Sequence, residues 1–365
     1  RPARARQPAA RFGAALWCRI APFAMPLRWP PLWWSAPLKR RTTQSLFRQN
    51  RLLRQNIDLE FTFSTAASRY PAFCGEMEAY RAALREATEQ NDVALRALFG
   101  AHEESLLDRA RAWLDDGHSV YDGLGSLWRH LAKDWTAEGT AAARPLRDRV
   151  VGLVAAEAPA SVLVPGCGQA RLAWELAERL PDASITGLEV STAQAQVAQH
   201  MLACTESASL AFHPFLDEPR NAVDVASRAV ELRAPDVAPG GGGGARRLQL
   251  LQMDFEAYRA TVPPPSDCVV TSFFLDCLPD SATALEAVRD SLKPGGLWIC
   301  AGPLAYHHWP QLSPTLAHLR TLSREVGLRP LGEPEMIPAP YVRPPQSLRH
   351  DADWTAAVWV CRRDA

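Results

Sequence analysis

No acidic residue occurs in the first 57 positions of this 365-residue chain, which carry twelve Arg or Lys instead. The formal net charge of zero therefore conceals a split, because residues 58–365 hold the other 28 basic side chains against all 40 acids, a net of −12. A groove that follows a phosphate backbone needs clustered positive charge, so the acidic body argues against nucleic acid as its partner. Long hydrophobic runs are lacking too. Ala14 to Trp34, the longest candidate, is broken by Arg19, Arg28 and four prolines, and a spanning helix needs about 20 apolar residues, so no membrane partner is expected. The eight cysteines (Cys18, Cys74, Cys167, Cys204, Cys268, Cys277, Cys300 and Cys361) form no CxxC pair and read as reduced intracellular thiols. There is no GxSxG elbow for nucleophilic catalysis. His307-His308 with Cys300 lacks the spaced third and fourth ligands of a closed zinc site, so no metal is expected. What is present, 47% hydrophobic and 22% charged residues, is globular composition, enough for one large or two ordinary domains.

The basic head stays open between three readings. Its arginines, its Ser35, Thr42, Thr43 and Ser45, and four tryptophans resemble an organelle transit peptide. The chain also begins at Arg1, which is compatible with an untranslated leader and a start at Met25. A functional basic arm is the third. Residues 1–43 are assigned to such a disordered, targeting or leader segment. Residues 1–57 as a whole are expected to be poorly ordered and dispensable, since nothing in them pairs with an amphipathic core pattern. The protein is then placed in the cytoplasm, with the nucleus left open as a second location, or in an organelle if the head is a transit peptide.

From Gln44 to Val151 apolar residues recur at helical spacing, as in Phe73, Met77, Tyr80 and Leu84, then Leu95, Leu98 and Phe99, so residues 44–150 form a helical region. Leu124, Leu127, Trp128, Leu131 and Trp135 put an aromatic-rich stripe on one helix, and such a stripe reads first as core packing. After Pro159 the texture changes. Strand-like runs at Ser161 to Val164, Ser184 to Val190, Leu248 to Met253, Asp267 to Leu275 and Leu297 to Ala301 alternate with helices at Ala170 to Leu180, Thr192 to Met201 and Ser281 to Leu292. That alternation predicts an α/β fold over residues 151–365, a doubly wound, mostly parallel sheet, with the helical region capping its cofactor edge. Trp354 to Cys361 reads as an antiparallel edge strand. The stretch 204–247, with several prolines and the run Gly240 to Gly244, reads as a loop insertion whose glycines serve as a flexible linker.

The strongest local signal is VLVPGCGQARLAWEL, Val162 to Leu176, where a strand runs into Gly166 and Gly168 and then a helix. Glycines there let backbone approach a ligand. A GxG alone is weak and also serves tight turns. The second strand ends in Glu189, 21 residues beyond Gly168, where an acid accepts hydrogen bonds from ribose hydroxyls. The third ends in Met253-Asp254-Phe255, a carboxylate for an adenine amino group with an aromatic to cover the ring, although Asp254 is also a natural helix cap. Lys293-Pro294-Gly295-Gly296 before the fifth strand completes an order that resembles class I methyltransferases more than dehydrogenases, which points to S-adenosyl-L-methionine as the cofactor.

Together with GLEVS (Gly187 to Ser191), PDVAP (Pro235 to Pro239), TSFFLD (Thr271 to Asp276), LKPGGLWI (Leu292 to Ile299), GPLAYH (Gly302 to His307) and LAKDWTAEG (Leu131 to Gly139), these runs resemble the carnosine N-methyltransferase family over about residues 120–361. The resemblance implies transfer of a methyl group to an imidazole nitrogen of a histidine-containing dipeptide, carnosine giving anserine. It assigns cofactor contacts to Gly166, Glu189, Asp254 and Phe255; Gly168 of the glycine turn and Ser272 are further cofactor candidates, as are His130 and Lys133, which stand where the family carries Gln and Arg. Substrate contacts fall on Asp276, His307 and Tyr341, and on Trp354, to which a family tyrosine cluster is reduced. The family's third glycine is Ala170 here, a mild change.

Asp276 and His307 are the candidate catalytic pair. An imidazole nitrogen is nucleophilic only when unprotonated, so an enzyme must align it and keep its lone pair free. Asp276 can accept from the other ring N–H, fixing the tautomer and stabilising the cationic product; His307 can bind the peptide's carboxylate or relay a proton. Three alternatives stand beside this reading: a methyltransferase of another small nitrogen heterocycle, an NAD-binding oxidoreductase, and a non-catalytic cofactor-binding protein. A small molecule or dipeptide is the expected partner, and a homodimer is left open.

Overall fold

The computed structural model describes residues 36–64, 71–100, 123–217, 221–278, 280–307, 313–344, 346–348 and 353–365. Among them, four helices precede the first strand: α1 (Ala36–Ser64), α2 (Pro71–Phe99), α3 (Leu124–Trp135) and α4 (Ala137–Glu157). The first 35 residues of the basic head lie outside the described set.

The rest of the head departs from expectation. α1 crosses the boundary set at residue 43, and it is built into the protein through Leu46 and Ile57, both buried. Asn50 of α1 donates to Thr88 O and Asp92 Oδ1 of α2, each at 2.8 Å. The Gln49 side chain accepts from the Leu124 N–H, the first amide of α3, at 2.7 Å. One apolar residue in each of several turns, separated by arginines, gave no amphipathic signal in the sequence, yet it is enough to seat a helix whose polar face is matched by acids of α2.

The stripe on α3 is core, as its spacing suggested. Leu127, Trp128, Leu131 and Trp135 are all at most 2% exposed, and Trp128 stacks on Phe212 at 5.3 Å between ring centroids. Thr136 separates α3 from α4 and caps the latter, its hydroxyl accepting from the Gly139 N–H at 3.1 Å.

The α/β part contains β1 (Ser161–Pro165), α5 (Arg171–Arg179), β2 (Ser184–Glu189), α6 (Thr192–Ala203), β3 (Leu210–Phe212), α7 (Val225–Arg228), β4 (Leu232–Ala234), α8 (Gly244–Arg247), β5 (Leu248–Gln252), α9 (Phe255–Ala260), β6 (Ser266–Ser272), α10 (Ser281–Asp290), β7 (Leu292–Gly302), α11 (Leu316–Glu325), β8 (Leu328–Pro340) and β9 (Asp353–Arg363). The main sheet runs β5-β2-β1-β6-β7-β9-β8. Strands β5 to β7 of that order are parallel and β9 is antiparallel to both neighbours. The order reverses beside β1, which puts a crevice at the carboxyl ends of β1 and β6.

The last strand is antiparallel as expected but not at the edge. The edge is β8, which the sequence reading missed because Pro330, Pro334, Pro338 and Pro340 break its strand pattern. All four have even numbers, and Leu331 pairs with Val360 while Glu335 pairs with Val358, so parity is kept across the irregularity. The missing N–H groups thus face outward, where no ladder needs them, and the edge is closed to further pairing.

The insertion is folded rather than loose. β3 and β4 pair as a small antiparallel sheet, and the Asp236 N–H donates to Trp135 O at 2.8 Å. Nor is the glycine run a flexible linker. A Cβ on Gly240 would lie 2.6 Å from Ala203 O, and Gly244 donates its N–H to Glu178. Glycine is used there for close approach of two backbones.

Candidate active site

At the crevice a cavity of about 240 Å³ is lined by the ends of β1, β2 and β6, the start of α9, and the cap helices α3 and α4. Of the residues expected at a cofactor, Gly166, Gly168, Glu189, Asp254, Ser272, His130 and Lys133 all line it. Residues far apart in the chain thus reach one hollow.

The glycine turn explains its own sequence. Gly166 adopts φ +61°, and a Cβ there would lie 2.1 Å from Cδ2 of Phe274. Gly168 adopts φ +57° with open space where a Cβ would stand, so the turn leaves room for a ligand to approach. The Gly168 N–H donates to Glu189 Oε2 at 2.8 Å, and the Ser191 N–H to Glu189 Oε1 at 2.7 Å. Two backbone donors thus fix the Glu189 carboxylate at the cavity. Ala170, in place of the third glycine, still holds φ +64°. The change is milder in composition than in conformation, because an L-residue there costs about 1–2 kcal/mol.

Asp254 both lines the cavity and caps α9, its Oδ1 accepting from the Glu256 N–H at 2.9 Å. Phe255 does not line the cavity. It is 3% exposed and meets Phe274 edge-on at 6.0 Å, so Val190, a lining residue 54% exposed, offers the apolar surface expected of the phenylalanine.

Asp276, His307, Tyr341 and Trp354 are likewise outside the lining set. Asp276 sits one residue before the lining Cys277, 3% exposed, and its Oδ2 accepts from the Ala305 N–H at 2.8 Å while its carbonyl accepts from the His307 N–H at 3.2 Å. The carboxylate therefore ties the FFLD loop to the GPLAYH loop. Both loops carry strained residues, Phe273 at φ +52° and Tyr306 at φ +41°, a cost that persists only where surroundings hold the backbone in place. The Tyr341 ring stands at 83° to Phe273, 6.3 Å away, and the Lys133 ammonium lies over both, 4.8 Å from the Phe273 centroid and 5.3 Å from that of Tyr341. Trp354 is 40% exposed and pairs across the strands with Ala339, which lines the cavity.

Burial raises the Asp276 carboxyl above its usual range, with the Ala305 N–H opposing. A carboxyl whose pKa is higher folded than unfolded favours folding most at low pH, and that contribution disappears as pH rises through the folded value. Asp276→Asn is therefore expected to melt at a higher temperature than wild type at pH 7, the gap closing as pH falls towards 4. A gap independent of pH would show that this carboxylate carries no burial penalty. Burial, then the Lys133 charge, lower His130, whose Nδ1 lies 2.7 Å from Ser126 O. The carbonyl requires a proton on Nδ1, so the neutral ring carries its lone pair on Nε2. Asp134 and Tyr341 outweigh burial to hold Lys133 above its normal value, and so charged. Burial, reinforced by Glu189, raises Cys167 well above the usual thiol range.

Sequence reasoning missed Asp134, Arg147 and Gln194, all lining the cavity. Asp134 and Lys133 share the KDW motif, so the signal was adjacent to a residue already chosen. Arg147 and Gln194 lie at helical positions that look like ordinary surface until the helices are placed.

A parallel five-strand run with an antiparallel strand inserted next to the far edge, a glycine turn after β1 and an acid ending β2 define the fold of class I methyltransferases. Within that class the carnosine N-methyltransferase family profile matches residues 114–365, and the chain belongs to that family. The chain is 26% identical over 253 residues to carnosine N-methyltransferase unmet of Drosophila melanogaster, covering 65% of this chain and 54% of that protein. It is 28% identical over 195 residues to carnosine N-methyltransferase of Rattus norvegicus, covering 51% and 48%. The chain thus spans about half the length of these relatives. A looser likeness, TM-score 0.40 at 15% identity, covers 66% of this chain and 97% of N-methyltransferase NodS from Bradyrhizobium japonicum WM9 in complex with S-adenosyl-L-homocysteine.

Proposed function

We propose that this chain binds S-adenosyl-L-methionine in the crevice and methylates an imidazole nitrogen of a histidine-containing dipeptide such as carnosine, giving anserine. The observation that carries the reading is the joint placement of the open side of Gly168, Glu189 and Asp254 around one cavity, in a chain of this family. Glu189 would hold the ribose hydroxyls, Asp254 and Val190 the adenine, and Lys133 the carboxylate of the methionine part. When bound, the cofactor supplies an electrophilic methyl group on a sulfonium.

The chain's own residues then have three tasks. The Asp276 carboxylate, one oxygen held by Ala305, would accept the imidazole N–H with its other oxygen and so keep the opposite lone pair for the methyl group. His307, on the backbone bonded to Asp276, would meet the carboxylate of the dipeptide. Phe273, Tyr341 and Trp354 would wall the ring off from water.

Two measurements test this. In calorimetry S-adenosylhomocysteine should bind and NAD should not; the reverse would favour an oxidoreductase. With labelled cofactor and a panel of histidyl dipeptides, label should enter an imidazole nitrogen, and Asp276→Asn should lose roughly 10²-fold in rate, the scale of one orienting or acid–base group. Full rate in that variant would make Asp276 structural only. Label in oxygen, sulfur or carbon acceptors would defeat the dipeptide reading while leaving the cofactor reading intact.

A further inference from the structure

We infer that Asp134 and Lys133, neighbours at the end of α3, form a clamp for the amino-acid end of the cofactor, Asp134 taking its α-ammonium and Lys133 its α-carboxylate. The inference rests on the cofactor reading above and adds a residue, Asp134, to which no role has been given.

The layout of the cavity and the setting of the two side chains carry it. The polar groups of the cavity fall at its two ends. Asp254 stands past the tip of β5, the outer strand, with Glu189 next on β2, whereas Lys133, Asp134 and Arg147 come from the cap helices α3 and α4. An adenosine seated on Asp254 and Glu189 must point its other end at α3. That other end is a zwitterion, and α3 presents charges of both signs, with the Lys133 Nζ 3.7 Å from Asp134 Oδ1. A ligand that offers only an anion would need no carboxylate there.

Asp134 is also unusual as a carboxylate. It is only 9% exposed, and among the described residues its carboxylate meets Lys133 alone, at 3.7 Å. A buried carboxylate is costly unless hydrogen-bonded, and a bound ammonium would supply the donors. Its position is fixed from behind: its own carbonyl accepts from Arg171 at 3.3 Å and from Arg147 at 3.5 Å. The side chain also stands close enough to the glycine turn for its charge to bear on Cys167. Lys133 is in turn held by the Phe273 and Tyr341 rings, so neither partner is a mobile surface charge.

The test compares ligands as well as variants, using the full chain and calorimetry. Wild type should bind S-adenosylhomocysteine roughly tenfold or more tightly than its desamino analogue, the worth of a hydrogen bond to a charged group. It should bind 5′-methylthioadenosine, which lacks the whole amino-acid end, more weakly still. Asp134→Asn should lose roughly tenfold or more for S-adenosylhomocysteine and nothing for the desamino analogue or methylthioadenosine. Lys133→Met should discriminate in the same way against the carboxylate. Equal loss for all three ligands, or none, in Asp134→Asn would overturn the clamp. The desamino comparison on wild type decides the matter even if Asp134→Asn does not fold. A wild type that binds S-adenosylhomocysteine but does not distinguish the desamino analogue overturns the clamp alone, whereas one that binds none of the three removes the cofactor reading with it.

Discussion

Arg171→Met is expected to lower the unfolding free energy by about 3–5 kcal/mol, the cost of leaving one partner of a buried ion pair uncompensated. The Arg171 side chain is 5% exposed and that of its partner Asp236 9%. Their pairing is bidentate, the second contact at 3.3 Å, and Arg171 also donates to Glu175 at 2.7 Å. The guanidinium lies against both Trp135 and Trp174, 4.9 and 5.1 Å from their ring centroids. Three parts of the chain therefore meet on one side chain: α5 of the α/β domain, the folded insertion through Asp236, and the cap through Trp135 and the carbonyl of Asp134. Met fills much of the volume but donates nothing, so Asp236 would be left as a buried charge. The double variant Arg171→Met, Asp236→Leu should recover most of the loss, because an apolar pair removes the unpaired charge with the bond. Denaturant titration of the three variants measures this directly. A single variant within about 1 kcal/mol of wild type would mean that insertion and cap are held by apolar contact alone.

That network also shows where the sequence was silent. The strands β1, β2, β5, β6 and β7 were legible because each is a short apolar run between helical segments, and burial on both faces leaves no alternation to confuse the pattern. Their order, and the insertion of β9 inside β8, were not, since pairing partners depend on contacts distant in the chain. PDVAP could be recognised as a family motif, but that Asp236 answers Arg171, 65 positions earlier, has no local sign. The same holds for β8. Its prolines are evidence against a strand until the edge position is known, and then they become evidence for it.

The site was legible at the end proposed for the cofactor and less so at the end proposed for the substrate. Gly166, Gly168, Glu189 and Asp254 stand at strand ends, and any sheet of this winding brings strand ends together. Phe255 follows Asp254 directly, yet one step along a helix is a rotation of about 100°, and it turns the ring into the core. The loops of Asp276 and His307 are joined by a link that motif reading could not supply: the carboxylate of one loop bonded to the backbone of the other.

Gly166→Ala and Gly168→Ala are expected to fail in opposite ways, although the two glycines are two residues apart and share nearly the same backbone conformation. At Gly166 the added methyl meets Phe274, with Cγ, Cδ2 and Cε2 all within 3.0 Å. That ring cannot move away freely, because it is packed edge-on against the buried Phe255. The positive φ costs an alanine about 1–2 kcal/mol, and overpacking adds roughly 1–3 kcal/mol, so stability should fall by about 2–5 kcal/mol. Gly168→Ala meets no neighbour within 4 Å and should lose only the conformational part, about 1–2 kcal/mol. Its methyl, however, stands in the space through which a ligand would approach the turn, and affinity for S-adenosylhomocysteine should fall tenfold or more. Thermal unfolding and calorimetry on the same two proteins separate the effects. If Gly168→Ala bound S-adenosylhomocysteine as wild type does, the cofactor would not lie against this turn, and the roles given to Glu189 and Asp254 would fall with it.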